Sequence, residues 1–191
     1  MTDRKNILER IWQNKPEQRS LPDKLISKGE TKPHEEILPE FIESLKKAGA
    51  EVREFDTKQE ATEYIDKSIH NAINILKQEI KAEYLKDISK EELEKINVLI
   101  AEGQFGVAEN GAIWLDESDI SNRLLPFITQ QLLLVLDRRQ IVSTMHQAYQ
   151  RIKLSETEFG AFISGPSKTA DIEQSLVYGA HGAKTLIVIL F

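Results

Sequence analysis

The sequence contains no cysteine, and it is poor in aromatic residues, methionine and long apolar runs. The absence of cysteine excludes disulfide bonds, a cysteine nucleophile, and thiolate ligation of zinc or of an iron–sulfur cluster by this chain. The longest apolar runs, LLLVL and LIVILF, are much too short to span a bilayer. The first residues, MTDRKNILERIW, lack the apolar core of a signal peptide. These features predict a soluble cytoplasmic protein, with any redox metal located on a partner.

The chain has fewer basic than acidic residues. The 191 residues include 25 Lys and Arg against 31 Asp and Glu, for a net charge of −6. No basic stripe with interleaved aromatic residues is present, so nucleic acid is disfavoured as a partner. The four histidines show no metal-binding spacing such as HExxH, which predicts no metal site. Hydrophobic residues make up 40% of the chain, as in a globular domain with a real core.

The N-terminal part is expected to be an appendage. Over residues 3–13, Ile7, Leu8, Ile11 and Trp12 share one face of a predicted helix. Residues 14–36 hold three prolines, a glycine and many charges, which predicts an irregular arm. We therefore divide the chain into a helix and arm at 1–35 and an α/β domain at 36–191. The apolar face of the helix requires a cover, either the body of the protein or a second subunit, and the sequence does not choose between them.

The rest of the chain alternates between helical and strand patterns. Apolar periodicity predicts helices at 36–48, 57–86, 144–152 and 171–178, the first ending at Gly49. Strands are predicted at 51–55, 106–109, 112–115, 132–136, 141–142, 159–163 and 186–190. Strands alternating with helices indicate an α/β fold with a mostly parallel central sheet flanked by helices.

Residues 164–182, SGPSKTADIEQSLVYGAHG, are the first candidate for a ligand site. Between strands at 159–163 and 186–190, this segment predicts a turn followed by a helix, and ligands bind beside such strand-to-helix turns. The predicted helix N-terminus offers free N–H groups to an anion. The expected anion-binding residues are Gly165, Ser167, Lys168 and Thr169.

A purely structural interpretation accounts for several of these residues. Ser167 or Thr169 would cap the helix. Asp171 and Glu173 would be favoured near its N-terminus, where the helix dipole is positive. Lys168 is not explained in this way, because a cation is unfavourable at that end unless an anion joins it. His181, at the other end, is favoured there by the helix dipole when protonated, and a general-base role is the alternative. The spacing of a Walker A loop is absent.

A second candidate is the turn Glu109-Asn110-Gly111, which joins two apolar runs. Asn-Gly is a strong turn signal because both residues tolerate positive φ. Glu109 is then either a solvated charge at a strand end or a catalytic proton acceptor. The pair Arg138-Arg139, after the apolar run LLLVL, has a similar ambiguity between a solvated strand end and an acid-binding site.

Three segments resemble the lactate-utilisation protein C family, the LUD-domain group. They are VAENGAIWL at 107–115, LPFITQQLLLVLDRRQIVSTMHQAY at 125–149, and SGPSKTADIEQSLVYGAHGAKTLIVIL at 164–190. The resemblance implies a fold like that of ribose-phosphate isomerases and coenzyme A transferases. It also implies work with two iron–sulfur partner proteins in oxidising L-lactate to pyruvate. A cysteine-free chain agrees with that division of labour.

The sequence departs from the family at two positions of interest. Members often carry Glu-Thr-Gly-Thr where this chain has Glu109-Asn110-Gly111-Ala112, so a hydroxyl role is lost there. The usual Arg of the Gly-Pro-Ser segment is Lys168 here, which keeps the charge but not bidentate geometry. We expect a subunit of a lactate-oxidising system that binds a small anion, itself without a cofactor, with a homo-oligomer left open. The alternatives are a stand-alone isomerase or transferase with Glu109 as its carboxylate, and a non-catalytic assembly module.

Overall fold

Five parallel strands form the centre of the fold. The computed structural model describes residues 2–16, 32–69, 72–74, 89, 91, 96–120, 122–153, 157–170, 176–179 and 182–191. The central sheet has the order β1-β11-β6-β3-β2, and every neighbouring pair is parallel. Its strands are β1 (Glu51–Glu54), β2 (Ala72–Asn74), β3 (Val98–Glu102), β6 (Gln131–Leu136) and β11 (Thr185–Leu190). The predicted α/β class with a parallel central sheet is therefore confirmed.

A second, mixed sheet packs beside the first. Its order is β7-β4-β5-β8, with antiparallel β4–β5 and β5–β8 pairs and a parallel β4–β7 pair. The strands are β4 (Phe105–Val107), β5 (Ala112–Asp116), β7 (Ile141–Val142) and β8 (Gly160–Ile163). A small antiparallel hairpin, β9 (Lys168–Ala170) with β10 (Leu176–Tyr178), follows β8 in the chain.

Helices connect and cover the strands. Within the described residues they are α1 (Thr2–Gln13), α2 (His34–Lys47), α3 (Lys58–Ser68), α4 (Leu125–Ile128) and α5 (Met145–Arg151), with a 3₁₀ turn at Arg138–Gln140. The predicted helices at 36–48 and 144–152 correspond to α2 and α5, and Gly49 follows α2 with a φ of +88°. None of the helices in this part of the chain has the length and apolarity needed to cross a bilayer.

Strand β6 shows why the apolar run LLLVL is continuous rather than alternating. Leu132, Leu134 and Leu136 pack in one cluster with Phe41 and Leu45 of α2. Leu133 and Val135 pack on the opposite face, with Ala61 and Ile65 of α3. A parallel strand covered on both faces must be apolar at every position. The sheet is thus held between α2 and α3.

The predicted long helix at 57–86 is correct as far as Ser68 and wrong at 72–74. Helix α3 ends at Ser68, Ile69 has extended backbone angles, and Ala72–Asn74 forms the edge strand β2 beside β3. An apolar residue every three or four positions suited a helix. The edge of β3 offered backbone hydrogen bonds that the helix pattern does not reveal. Residues 75–86 lie outside the described residues.

The predicted helix at 171–178 is also wrong where it is described. Leu176–Tyr178 is strand β10, paired with β9, and Lys168 itself lies in β9. The antiparallel pairing supplies backbone hydrogen-bond partners to both strands. The valine and tyrosine of β10 also favour a strand over a short helix. Asp171 and Glu173 lie outside the described residues, as does His181. Lys168 is therefore not at a helix N-terminus.

The N-terminal helix α1 is confirmed, with its apolar face exposed. Ile7, Leu8, Ile11 and Trp12 are 57%, 46%, 53% and 70% exposed. Lys15 lies over the Trp12 ring, with its Nζ 4.3 Å from the ring centroid. The described residues of the body of the protein do not cover this face.

Candidate functional site

The C-terminal end of α2 is the point where both candidate motifs meet. Helix α2 ends at Lys47, and its last carbonyl groups lack partners within the helix, which leaves partial negative charge at this end. The motifs that contact it lie more than 60 and more than 110 residues further along the chain. The tertiary fold alone brings them together.

The Ser-Gly-Pro-Ser segment follows β8 and packs against this helix end. Gly165 has a φ of +74°, and a Cβ atom there would lie 2.3 Å from the carbonyl oxygen of Ala48. Only glycine tolerates both that backbone conformation and that approach. The Ser167 N–H donates to the Ala183 carbonyl (2.8 Å), which ties the segment to the start of β11.

Lys168 has a partner that the sequence did not indicate. Its ammonium donates to the carbonyl oxygen of Ala48, at the end of α2. A cation is favourable at the negative end of a helix and satisfies a free carbonyl there. The structure thus gives Lys168 an anchoring role, and two further N–H donors of the ammonium remain for a ligand.

The Glu109-Asn110-Gly111 turn packs on the same helix end. A Cβ atom on Gly111, whose φ is +68°, would lie 2.8 Å from the backbone nitrogen of Leu45. The Asn110 side chain accepts from the Ala112 N–H (3.0 Å), a hydrogen bond that stabilises the turn. The carbonyl of Asn110 accepts from the Ser164 hydroxyl (2.7 Å), and this bond joins the two motifs directly.

The carboxylate of Glu109 is directed to another helix. Its Oε1 accepts from the Met145 N–H (3.0 Å) at the start of α5, and its own N–H donates to the Ser143 carbonyl (3.1 Å). A carboxylate at a helix N-terminus is favoured by the free N–H groups and the helix dipole. The side chain is exposed, and this contact is a sufficient structural reason for it.

A cavity of about 320 Å³ opens beside the Ser-Gly-Pro-Ser segment. It lies near the amino ends of β6 and β11, and its floor is mostly apolar. The lining residues are Pro126, Phe127, Leu132, Phe162, Ile163, Ser164, Gly165, Pro166, Ser167, Lys168, Gly182 and Ala183. The volume falls in the usual range for small-molecule sites, which combine apolar walls with a few polar groups.

The sequence candidates separate into two groups on this geometry. Gly165, Ser167 and Lys168 line the cavity, while Asn110 and Gly111 support it through Ser164 and α2. Thr169 is exposed on β9 and Glu109 is directed to α5, so neither is among the lining residues. Sequence reasoning missed the aromatic wall, Phe127 and Phe162. A single phenylalanine in a short helix or strand looks the same in sequence whether it lines a cavity or packs in the hydrophobic core.

In the described part of the chain, no group of three or more His, Asp or Glu side chains could hold a metal ion. Iron–sulfur clusters are held chiefly by cysteine thiolates, and the sequence has none to offer.

The geometry defines the class as an α/β protein with a parallel central sheet and a small cavity under a Gly-Pro-Ser-Lys loop. The family model of the LUD domain matches residues 68–191, well over half of the chain. The chain therefore belongs to the LUD domain family. The resemblance that the motifs indicated is confirmed.

Curated relatives agree with this assignment over part of their length. The chain is 34% identical to lactate utilization protein C of Geobacillus thermodenitrificans over 96 residues, which are 47% of this chain and 40% of that protein. It is 35% identical to an uncharacterized protein of Neisseria meningitidis over 89 residues, 45% of this chain and 38% of that protein. The chain thus spans about two fifths of the length of these relatives.

A solved structure has a similar fold. A DUF162 family protein from Deinococcus radiodurans superposes with a TM-score of 0.65, covering 83% of this chain and 98% of that one. The sequence identity is 23%. At that level the likeness concerns the fold alone.

Proposed function

We propose that this protein takes part in lactate utilization, as a subunit of an iron–sulfur-dependent system that oxidises L-lactate to pyruvate. The observation that carries the proposal is the LUD domain, together with relatives named lactate utilization protein C. Because the chain has no cysteine, the iron–sulfur clusters and the electron transport belong to partner proteins in the cytoplasm.

We further propose that the cavity beside Lys168 binds a small carboxylate or phosphate. The hydroxyls of Ser164 and Ser167 lie in the same lining as the ammonium, next to the apolar surfaces of Phe127 and Phe162. A small acid with an alkyl group matches such a lining, because the ammonium and the Ser167 hydroxyl can donate to the acid group and the rings cover the rest. Lactate and pyruvate are acids of this kind.

Calorimetry with L-lactate and pyruvate tests the ligand site. Lys168→Ala is expected to weaken binding at least tenfold, whereas Lys168→Arg retains most of it because the charge remains. Lys47→Ala is the matched control: its side chain is also exposed at the end of α2 but pairs with Glu43 outside the cavity. Equal affinity in wild type and Lys168→Ala would refute this site.

Growth tests the role in the cell. A strain that lacks this gene is expected to lose growth on L-lactate but keep growth on pyruvate, and the wild-type gene restores it. Co-purification with cysteine-rich iron–sulfur proteins tests the partners. Normal growth of the deletion strain on L-lactate, in the absence of a second copy of the gene, would refute the proposal.

One observation favours an assembly role alongside the first proposal. The apolar face of α1 is exposed, and a helix of twelve residues is marginal in water without a partner. A stand-alone isomerase or transferase that uses Glu109 has less support, because that carboxylate is directed to the start of α5 rather than into the cavity.

A further inference from the structure

The carboxyl edge of the central sheet forms a second crevice, on the opposite side from the Lys168 cavity. Four connections converge there: the segment after β1, Gly103 after β3, the 3₁₀ turn after β6, and Phe191 after β11. Parallel α/β sheets bind ligands outside the carboxyl ends of their strands. The Lys168 cavity, near the amino ends of β6 and β11, does not occupy this position.

The crevice is large enough to hold a ligand the size of a sugar. One part, of about 500 Å³, is lined by Lys58, Glu102, Gly103, Gln104, Asp119, Asp137, Arg139, Gln140 and Phe191. An adjoining part of about 420 Å³ is lined by Asp56, Thr57, Lys58, Arg138, Arg139 and Phe191. The two parts share the walls formed by Lys58, Arg139 and Phe191. Most of the lining residues are polar or charged, whereas most of those around the Lys168 cavity are apolar.

Three cations line the crevice: Lys58, Arg138 and Arg139. The Lys58 Nζ lies 2.7 Å from both carboxylate oxygens of Glu102, and Arg139 pairs with Asp137 at 2.7 Å. The side chains of Lys58 and Arg139 are 52% and 79% exposed. Ion pairs with such exposure are weak, so an incoming anion can compete for these cations.

Arg138 differs from the other two cations. It has no ion-pair partner among the described residues, and its Nη2 donates to the carbonyl of Phe55. Its Nε–H is buried without a hydrogen-bond partner in the same part of the chain. The turn is held by the His34 ring, which donates through Nε2 to the Arg138 carbonyl (2.8 Å), and by Arg138 N–H to the Phe191 carbonyl (3.0 Å). The guanidinium is therefore fixed in place with donors to spare, as in an anion-binding group.

The larger part of the crevice also contains groups suited to hydroxyls. The carboxyl groups of Glu102 and Asp119 and the amide oxygen of Gln104 accept hydrogen bonds, and the amide nitrogen of Gln140 donates them. An acid group beside the cations would leave the rest of a ligand facing this set. Acceptors and amides in that position recognise hydroxyl groups rather than alkyl chains.

We infer that this crevice binds a polyhydroxylated small acid, either a carboxylate or a phosphate. Arg138 and Lys58 hold the acid group, and Glu102, Asp119 and Gln104 hold the hydroxyls. The inference goes beyond the role in lactate utilization. It adds a site whose ligand is larger and more polar than lactate.

Nuclear magnetic resonance of the full chain tests the site. The ¹H–¹⁵N spectrum is titrated with D-gluconate, glycerol 3-phosphate, uncharged glycerol and L-lactate. We expect saturable shifts at Lys58, Gly103, Arg139 and Phe191 with at least one of the first two acids and none with glycerol. Comparing the shifts caused by D-gluconate with those caused by glycerol 3-phosphate shows whether the site prefers a carboxylate or a phosphate. Absence of saturable shifts at this edge with both acids would overturn the inference.

Variants localise the binding. Lys58→Gln and Arg138→Gln are each expected to weaken the affinity at least fivefold, and Lys67→Gln to leave it unchanged. Lys67 is the matched control because it is an exposed lysine at the other end of α3. If Arg138→Gln fails to fold, Lys58→Gln and Arg139→Gln decide the matter. Wild-type affinity in Lys58→Gln and Arg139→Gln would overturn the inference. L-lactate shifts at 164–168 report on the proposed lactate site separately, so the two proposals fail independently.

Discussion

Asp119 supports a prediction about the pH dependence of folding. It is half-buried at the carboxyl edge, and its Oδ2 accepts from the Asp116 N–H (2.9 Å). Burial raises its pKa from 3.8 to about 6, and the negative charges of Asp116 and Glu102 act in the same direction. The Asp116 N–H and the Gln104 side chain oppose the rise in pKa. We predict that Asp119→Asn stabilises the protein at neutral pH.

The sign follows from proton linkage. Between pH 3.8 and about 6 the folded protein binds more protons at this carboxyl than the unfolded chain does, so the free energy of unfolding falls as pH rises through that window. A pKa difference of this size corresponds to about 3 kcal/mol for a fully buried group. Because Asp119 keeps solvent contact, screening reduces the cost of its ionised form to about 1 kcal/mol. Asparagine avoids this cost and can still accept from Asp116.

Urea unfolding, followed by far-ultraviolet circular dichroism at pH 4, 6 and 8, measures the effect. Asp119→Asn is expected to be about 1 kcal/mol more stable than wild type at pH 8, and nearly equal to it at pH 4. Asp56→Asn is the control, since Asp56 is an exposed aspartate at the same edge and its substitution should stay within about 0.5 kcal/mol. A variant that is less stable at pH 8, or that differs equally at all three pH values, would refute the reasoning.

Two further substitutions test the helix-end contacts of the candidate site. Gly165→Ala places a Cβ atom against the Ala48 carbonyl at positive φ, so we expect a loss of at least about 2 kcal/mol in urea unfolding. An unchanged midpoint would contradict the close approach. Glu109→Ala removes the acceptor for the Met145 N–H and is expected to cost about 1 kcal/mol, with Glu109→Gln losing less because its amide oxygen still accepts. Equal losses in the two variants of Glu109 would argue against this contact.

Strands β6 and β11 of the central sheet were predictable because nearly every residue in them is apolar, as burial on both faces requires. The prediction at 132–136 begins one residue late against Gln131–Leu136, and the one at 186–190 is also one residue short against Thr185–Leu190. Both runs are apolar at nearly every position, as a strand buried on both faces requires. The predicted strand at 141–142 matches Ile141–Val142.

The two wrong helices have a common physical reason. At 72–74 and 176–178 the chain forms three-residue strands that depend on hydrogen bonds to a neighbouring strand. Three residues are too few for a period of two to stand out from a period of 3.6. Pairing with a neighbouring strand decided that these residues form a strand rather than a helix. The local sequence pattern contains no information about that neighbour.

The candidate site was also predictable only in part. The motifs containing Gly165, Lys168 and Gly111 were identified from their residue types alone. Their contacts with Ala48 and Leu45 at the end of α2 were not predictable, because those partners lie far away in the chain. The crevice around Arg138 and Asp119 likewise draws its residues from five separate segments of the chain.

By itself, the sequence determined the α/β class, the buried strands β6 and β11, the family and the lack of thiolate ligands, because each of these follows from residue type or local order. Only the tertiary structure decided that Lys168 lies in a hairpin and binds the end of α2, and that a second crevice opens at the opposite edge of the sheet. The physical reason is that hydrogen bonding and burial between distant segments outweigh the small local preferences of short stretches of chain.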